Sequence, residues 1–136
     1  MSPIKELSVM NGTKILFDTC AVINLLDEQY DLSSLGIKVD EAEFFTSVIV
    51  RIELLSRRQI TSIEERSILD FLDDVTVIPL TEQIESKAIE LRRSTRLKLP
   101  DSIVVATSIV LDATLLTDDK QLLNLSWPGL QMQNIL

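Results

Sequence analysis

Histidine is absent from all 136 residues, and cysteine occurs once, at Cys20. Without histidine there is no Ser-His-Asp or Cys-His nucleophile and no imidazole-bound zinc. A single thiol cannot close an intrachain disulfide, the usage expected of a cytoplasmic protein. Glycine (3) and proline (4) are scarce, whereas apolar residues reach 46%. That balance excludes a disordered or low-complexity chain and predicts one globular domain over 1–136, with a core from about 14 to 136. The longest apolar stretches run to about ten residues, too short to cross a bilayer. The opening "MSPIKELSVMNGTK" lacks the basic-then-apolar order of a secretory leader, so neither a membrane role nor export is expected. Positive charge is also in short supply. Lys and Arg number 13 against 21 Asp and Glu, a net charge of −8. The field of such a molecule repels phosphate, which excludes generic adhesion to nucleic acid.

The few basic residues are unevenly spread. Lys87, Arg92, Arg93, Arg96 and Lys98 share a stretch whose one acid is Glu90, and Arg57 and Arg58 stand as a pair upstream. This pattern fits either a local basic path or a solvated helix face.

Hydrophobic periodicity alternates between the two regular structures. "KILF" reads as a buried strand ending on Asp18, and "CAVINLLDEQ" as a helix. A polar, turn-rich loop follows, then a strand at Phe44 to Ser47. Val48 to Arg57 reads as a helix presenting Ile49, Ile52 and Leu54 or Leu55. Ser62-x-x-Glu65 has the form of a capping box before a helix bearing Ile63, Ile68, Leu69 and Leu72. "VTVIPL" is a strand, Thr81 caps a helix with Ile84, Ala88 and Leu91 inward, and Pro100 stands in the first turn of a nearly all-apolar helix to Leu111. "TLLT", a short helix in "DKQLLNL" and a closing strand in "GLQMQNIL" complete the chain. Strands alternating with helices predict an α/β fold with a mostly parallel central sheet covered on both faces. Ligands of such sheets bind at the carboxyl ends of the strands, where two of these strands end on acids, Asp18 and the Asp118-Asp119 pair.

Taken singly, each acid has an ordinary explanation. Asp18 suits a helix N-cap, and so does Asp118. Glu53 is four residues before Arg57, the spacing of a surface ion pair. Asp101 gains about 0.3–1 kcal/mol from the dipole of the helix it opens. Taken together they are harder to dismiss. Acids stand at two strand ends, at the head of a buried helix and within a second apolar helix. Brought into one pocket, unpaired carboxylates repel and take up protons. A hard divalent cation, Mg²⁺ or Mn²⁺, relieves that repulsion and serves phosphate chemistry.

At these residues the chain resembles the PIN-domain ribonucleases, and most closely the small VapC-type toxins. The motifs are "ILFDTCAVINLL", "SVIVRIELLS", "LKLPDSIVVATSIVLDATLLT" and "LLTDDKQL", in that order. The resemblance implies a three-layer α/β sandwich with a mostly parallel sheet of four to five strands flanked by helices. It implies a metal-dependent endoribonuclease in which Asp18, Glu53, Asp101 and Asp119 bind Mg²⁺ or Mn²⁺ and Thr117 orients a carboxylate or water. Asp118 would be a cap or outer residue. It further implies an RNA substrate, a cognate antitoxin partner and a homodimer, with Arg57, Arg58, Arg92, Arg93 and Arg96 forming an RNA path. Cys20 departs from the pattern, standing where the family often has Asn or Ser. Two other readings stay open: a non-cleaving PIN-like binding module, and an aspartate-based phosphatase with Asp18 as nucleophile and Lys120 beside the phosphate.

Overall fold

A computed structural model describes residues 13–136. The expectation that the first residues carry no leader lies outside that range. The central sheet has five strands, β1 (Thr13–Phe17), β2 (Ala42–Ser47), β3 (Thr76–Ile78), β4 (Thr114–Thr117) and β5 (Gln131–Asn134). They lie in the order β3-β2-β1-β4-β5, and every pairing is parallel. The helices are α1 (Thr19–Leu26), α2 (Val48–Leu55), α3 (Ser62–Asp74), α4 (Glu82–Ser94), α5 (Leu99–Leu111) and the single turn α6 (Lys120–Leu123). This is the α/β architecture expected, with the sheet parallel throughout. Among the described residues no helix is long and apolar enough to cross a membrane.

The chain builds outward from β1 through β2 to β3, then returns to add β4 and β5 on β1's other side. The direction of winding therefore reverses between β1 and β4, and their carboxyl ends diverge into a crevice. Ile15, Leu16 and Phe17 of β1 are almost wholly buried, as are Leu115 and Leu116 of β4. Strands covered on both faces read as continuous apolar runs, which is why both were visible in the sequence.

Helix α5 packs against α2, α4, β2 and β4. Every residue from Ser102 to Ser108 is buried. Its small polar residues do not break that environment, because the hydroxyls bond back to the helix's own carbonyls. Ser102 donates to Leu99 at 2.6 Å, Thr107 to Ile103 at 2.7 Å and Ser108 to Val105 at 2.7 Å. The helix thus turns no unmet polar side chain toward its neighbours.

Three local expectations are corrected. The buried residues of α2 are Val50 and Leu54, whereas Ile52 is exposed. In α3 the buried side is Ile68, Phe71 and Leu72, leaving Ile63 and Leu69 exposed. Isoleucine and leucine positions alone leave the phase of both helices open, and in α3 the buried face includes Phe71, packed edge-on to Phe17. The capping box is Thr61 with Glu64, one residue before the Ser62–Glu65 pair, which has the same spacing. Glu64 gains a second reason for that register in Arg57, which donates to its Oε2 at 2.8 Å.

Candidate metal and phosphate site

Asp18, Glu53, Asp101, Asp118 and Asp119 line a single open hollow of about 390 Å³, together with Thr19, Cys20 and Ile23. It lies at the carboxyl edge of the sheet, where β1 and β4 part. Asp18 directly follows β1, and Asp118 directly follows β4. Glu53 comes from α2 and Asp101 from the first turn of α5. The four acids singled out in the sequence are therefore neighbours in space.

Asp18 is 8% exposed and fully engaged. Its Oδ1 accepts the Thr19 N–H at 2.8 Å, which caps α1 as the simple reading had it. Its Oδ2 accepts the Thr117 hydroxyl at 2.9 Å and the Cys20 thiol at 3.6 Å. Thr117 faces Asp18 across the sheet, one step beyond the pairing of Phe17 with Leu116. Its oxygen also accepts the Asp119 N–H at 3.0 Å. One buried hydroxyl thereby joins acids on two strand ends.

The adjacent acids separate in a way the sequence did not show. Asp119, not Asp118, caps α6, its Oδ1 accepting the Gln121 N–H at 2.9 Å. Asp118 is steadied by Asn24 of α1, whose amide donates to Oδ2 at 3.4 Å. Its backbone N–H donates to the Cys20 sulfur at 3.4 Å. Cys20 thus spans the crevice and leaves no gap where the family pattern has Asn or Ser. Burial, first, and then hydrogen bonding to Asp118 push its thiol up to about 12, so it remains a protonated donor.

Glu53 does not pair with Arg57. Its Oε1 accepts the Thr19 hydroxyl at 2.7 Å. In the sequence nothing marks Asn24, whereas the position of Thr19 directly after Asp18 is a signal for it. The arginines lie outside the hollow. Arg57 is committed to Glu64, while Arg57 and Arg58 border a separate shallow hollow beside Gln59 and Ile60. Arg92 and Arg93 close α4, and Arg96 lies exposed in the segment before Asp101.

Among the described residues none of the site's acids has an ion-pair partner. The consequence is electrostatic. Burial holds the Asp18 carboxyl above its ordinary range, with Glu53 adding repulsion against three hydrogen bonds that favour ionisation. Asp101 is raised by burial and then by the charges of Asp18, Asp119 and Glu53, offset only by Lys98. Among the described residues no three of these groups close on a point as a finished metal cage. The donor set is nevertheless all oxygen, crowded and short of positive charge, which is the chemistry of a hard-cation site.

A pH dependence follows. The folded-state pKa of Asp101 lies above the unfolded value of about 3.9. Its burden on stability is absent below the unfolded pKa and complete once pH has risen through the folded one. In metal-free buffer, Asp101→Asn should match wild type below about pH 4 and become the more stable of the two toward neutrality. Denaturant titrations across that range measure the gap. A gap that widens on acidification would show that Asp101 is not under this repulsion.

The same architecture recurs in solved structures. A chain of VapBC2 from Rickettsia felis, bound to promoter DNA, superimposes with a TM-score of 0.76 at 19% identity, covering 90% of this chain and 98% of that one. A toxin–antitoxin complex from Klebsiella pneumoniae gives 0.67 at 24% identity, covering 85% and 94%. VapBC-1 from nontypeable Haemophilus influenzae gives 0.70 at 18%, covering 90% and 98%. No curated protein matches significantly in sequence. The family model of the PIN domain matches residues 15–128, a span that holds every acid of the hollow. With the strand order, the crevice and that match in agreement, the chain belongs to the PIN-domain family.

Proposed function

We propose that the protein is a metal-dependent endoribonuclease and the toxin of a toxin–antitoxin pair. The observation that carries the reading is the convergence of Asp18, Glu53, Asp101 and Asp119 on one hollow where, among the described residues, no Lys or Arg pairs with them. The likeness to VapBC chains supports the toxin role and, with it, a cognate antitoxin as partner. The protein acts as a single cytoplasmic domain and pairs as a homodimer.

Asp18, Asp101 and Asp119 hold Mg²⁺ or Mn²⁺ through carboxylate oxygens, and Glu53 binds the metal or positions water. Such a cation lowers the pKa of an attacking water and neutralises charge on the phosphoryl oxygens. Thr117 keeps Asp18 and Asp119 in place, through bonds of 2.9 and 3.0 Å. Asp118, held by Asn24, stays an outer residue. Arg92, Arg93 and Arg96, which precede Asp101 in the chain, supply basic residues for an RNA path. Arg57 and Arg58, which follow α2, add two more.

Cleavage of structured RNAs should require Mn²⁺ or Mg²⁺ and stop on chelation. Intact RNA in the presence of either metal, with the metal bound, would leave a non-cleaving module. A phosphoryl group trapped on Asp18 would point to the phosphatase chemistry.

A further inference from the structure

Glu53 is the least constrained acid of the hollow by position. It is exposed on α2, it has one more rotatable bond than an aspartate, and it forms no ion pair among the described residues. Left alone, such a side chain samples many rotamers. Its one protein hydrogen bond among the described residues comes from Thr19, whose Oγ1 stands 2.7 Å from Oε1. Oε2 receives none there.

Thr19 is the first residue of α1, directly after Asp18, and its backbone N–H donates to Asp18 Oδ1 at 2.8 Å. One residue therefore contacts two carboxylates borne by different parts of the chain, through its backbone on one side and its hydroxyl on the other. The parallel pairing of β1 with β2 makes this reach possible. Phe17 pairs with Thr46, so the chain leaves both strands side by side into α1 and α2. Helical side chains lean toward their own N-terminus, which brings Glu53 back over the start of α1.

We propose that Thr19 is the positioning residue of Glu53. By holding Oε1, its hydroxyl presents Oε2 to the hollow as the oxygen for metal or water. This rests on the metal reading above. Partners that orient a ligand from behind usually change metal affinity by about 10- to 100-fold when removed.

The test is Mn²⁺ affinity of the full chain, read as free Mn²⁺ by electron paramagnetic resonance, with no RNA present. Thr19→Val keeps the shape and removes the hydroxyl, and should weaken affinity by about 10-fold or more. Thr19→Ser should restore most of that loss. Thr19→Ala serves as the second hydroxyl-free variant if valine perturbs folding. In a Glu53→Gln background, Thr19→Val should cost little further, because its effect runs through Glu53. Wild-type affinity in Thr19→Val, or an equal loss in the Glu53→Gln background, overturns the positioning role while Asp101→Asn still abolishes binding. No saturable Mn²⁺ binding by wild type overturns the metal reading and this role with it.

Discussion

Asp101→Asn is expected to slow Mn²⁺-dependent RNA cleavage by about 10²- to 10³-fold, the loss typical of deleting one preorganised electrostatic group. At about 1.36 kcal/mol per decade, that is roughly 3–4 kcal/mol of transition-state stabilisation. Asp101 is the most informative acid for this test because it has no second structural duty. Asp18 caps α1 and Asp119 caps α6, so their amides change helix ends as well as charge. Asp101 gives no side-chain cap to α5 and is half-buried among other acids. The asparagine keeps volume and position while removing charge. Activity should therefore fall in a protein that folds at least as well near neutral pH, the outcome expected of the metal-free titrations. Single-turnover cleavage at a Mn²⁺ concentration that saturates wild type measures it. A rate within tenfold of wild type would remove Asp101 from the site.

The second large effect is on stability. The hollow collects negative charge that no ion pair among the described residues neutralises, so a divalent cation should bind the folded state far better than the unfolded one. At about a hundredfold excess over its dissociation constant, Mn²⁺ then adds about 2.7 kcal/mol. For a chain of this length that corresponds to roughly 10 °C in thermal midpoint. The shift should disappear in Asp101→Asn, whose metal-free midpoint near neutral pH should not fall below that of wild type. A thermal melt series with increasing Mn²⁺ decides the matter. An equal shift in both proteins would mean that the cation binds elsewhere.

The α/β architecture was legible because its signals are local and repeated. "ILF" and "LLT" are buried on both faces, so they read as unbroken apolar runs, and the nearly all-apolar helix α5 announced its central place. Candidate acids were legible because carboxylates at strand ends stand out against such runs. What the sequence could not supply was phase and partner. Thr61 and Ser62 begin overlapping copies of one capping pattern, and Arg57's distant choice of Glu64 helped select the first. Asp118 and Asp119 are the same residue type, and only the register of β4 decided which would cap α6. Arg57 sits at ion-pair spacing from Glu53, yet Glu53 bonds to Thr19, 34 positions away. A contact of that kind depends on β1 and β2 lying side by side, which no window of sequence encodes.

The strand order also has a consequence in time. β1 is the first described strand to leave the ribosome, and it occupies the middle of the sheet. Its β2 edge can be filled early, but its β4 edge must wait for residues 114–117. At about 5–20 residues per second of synthesis, Asp18 spends several seconds with Thr117 and Asp119 not yet made. A nascent chain therefore carries an incomplete hollow until its last quarter has emerged. The centre of the sheet is finished late, and Asp18 gains Asp119 as a neighbour only then.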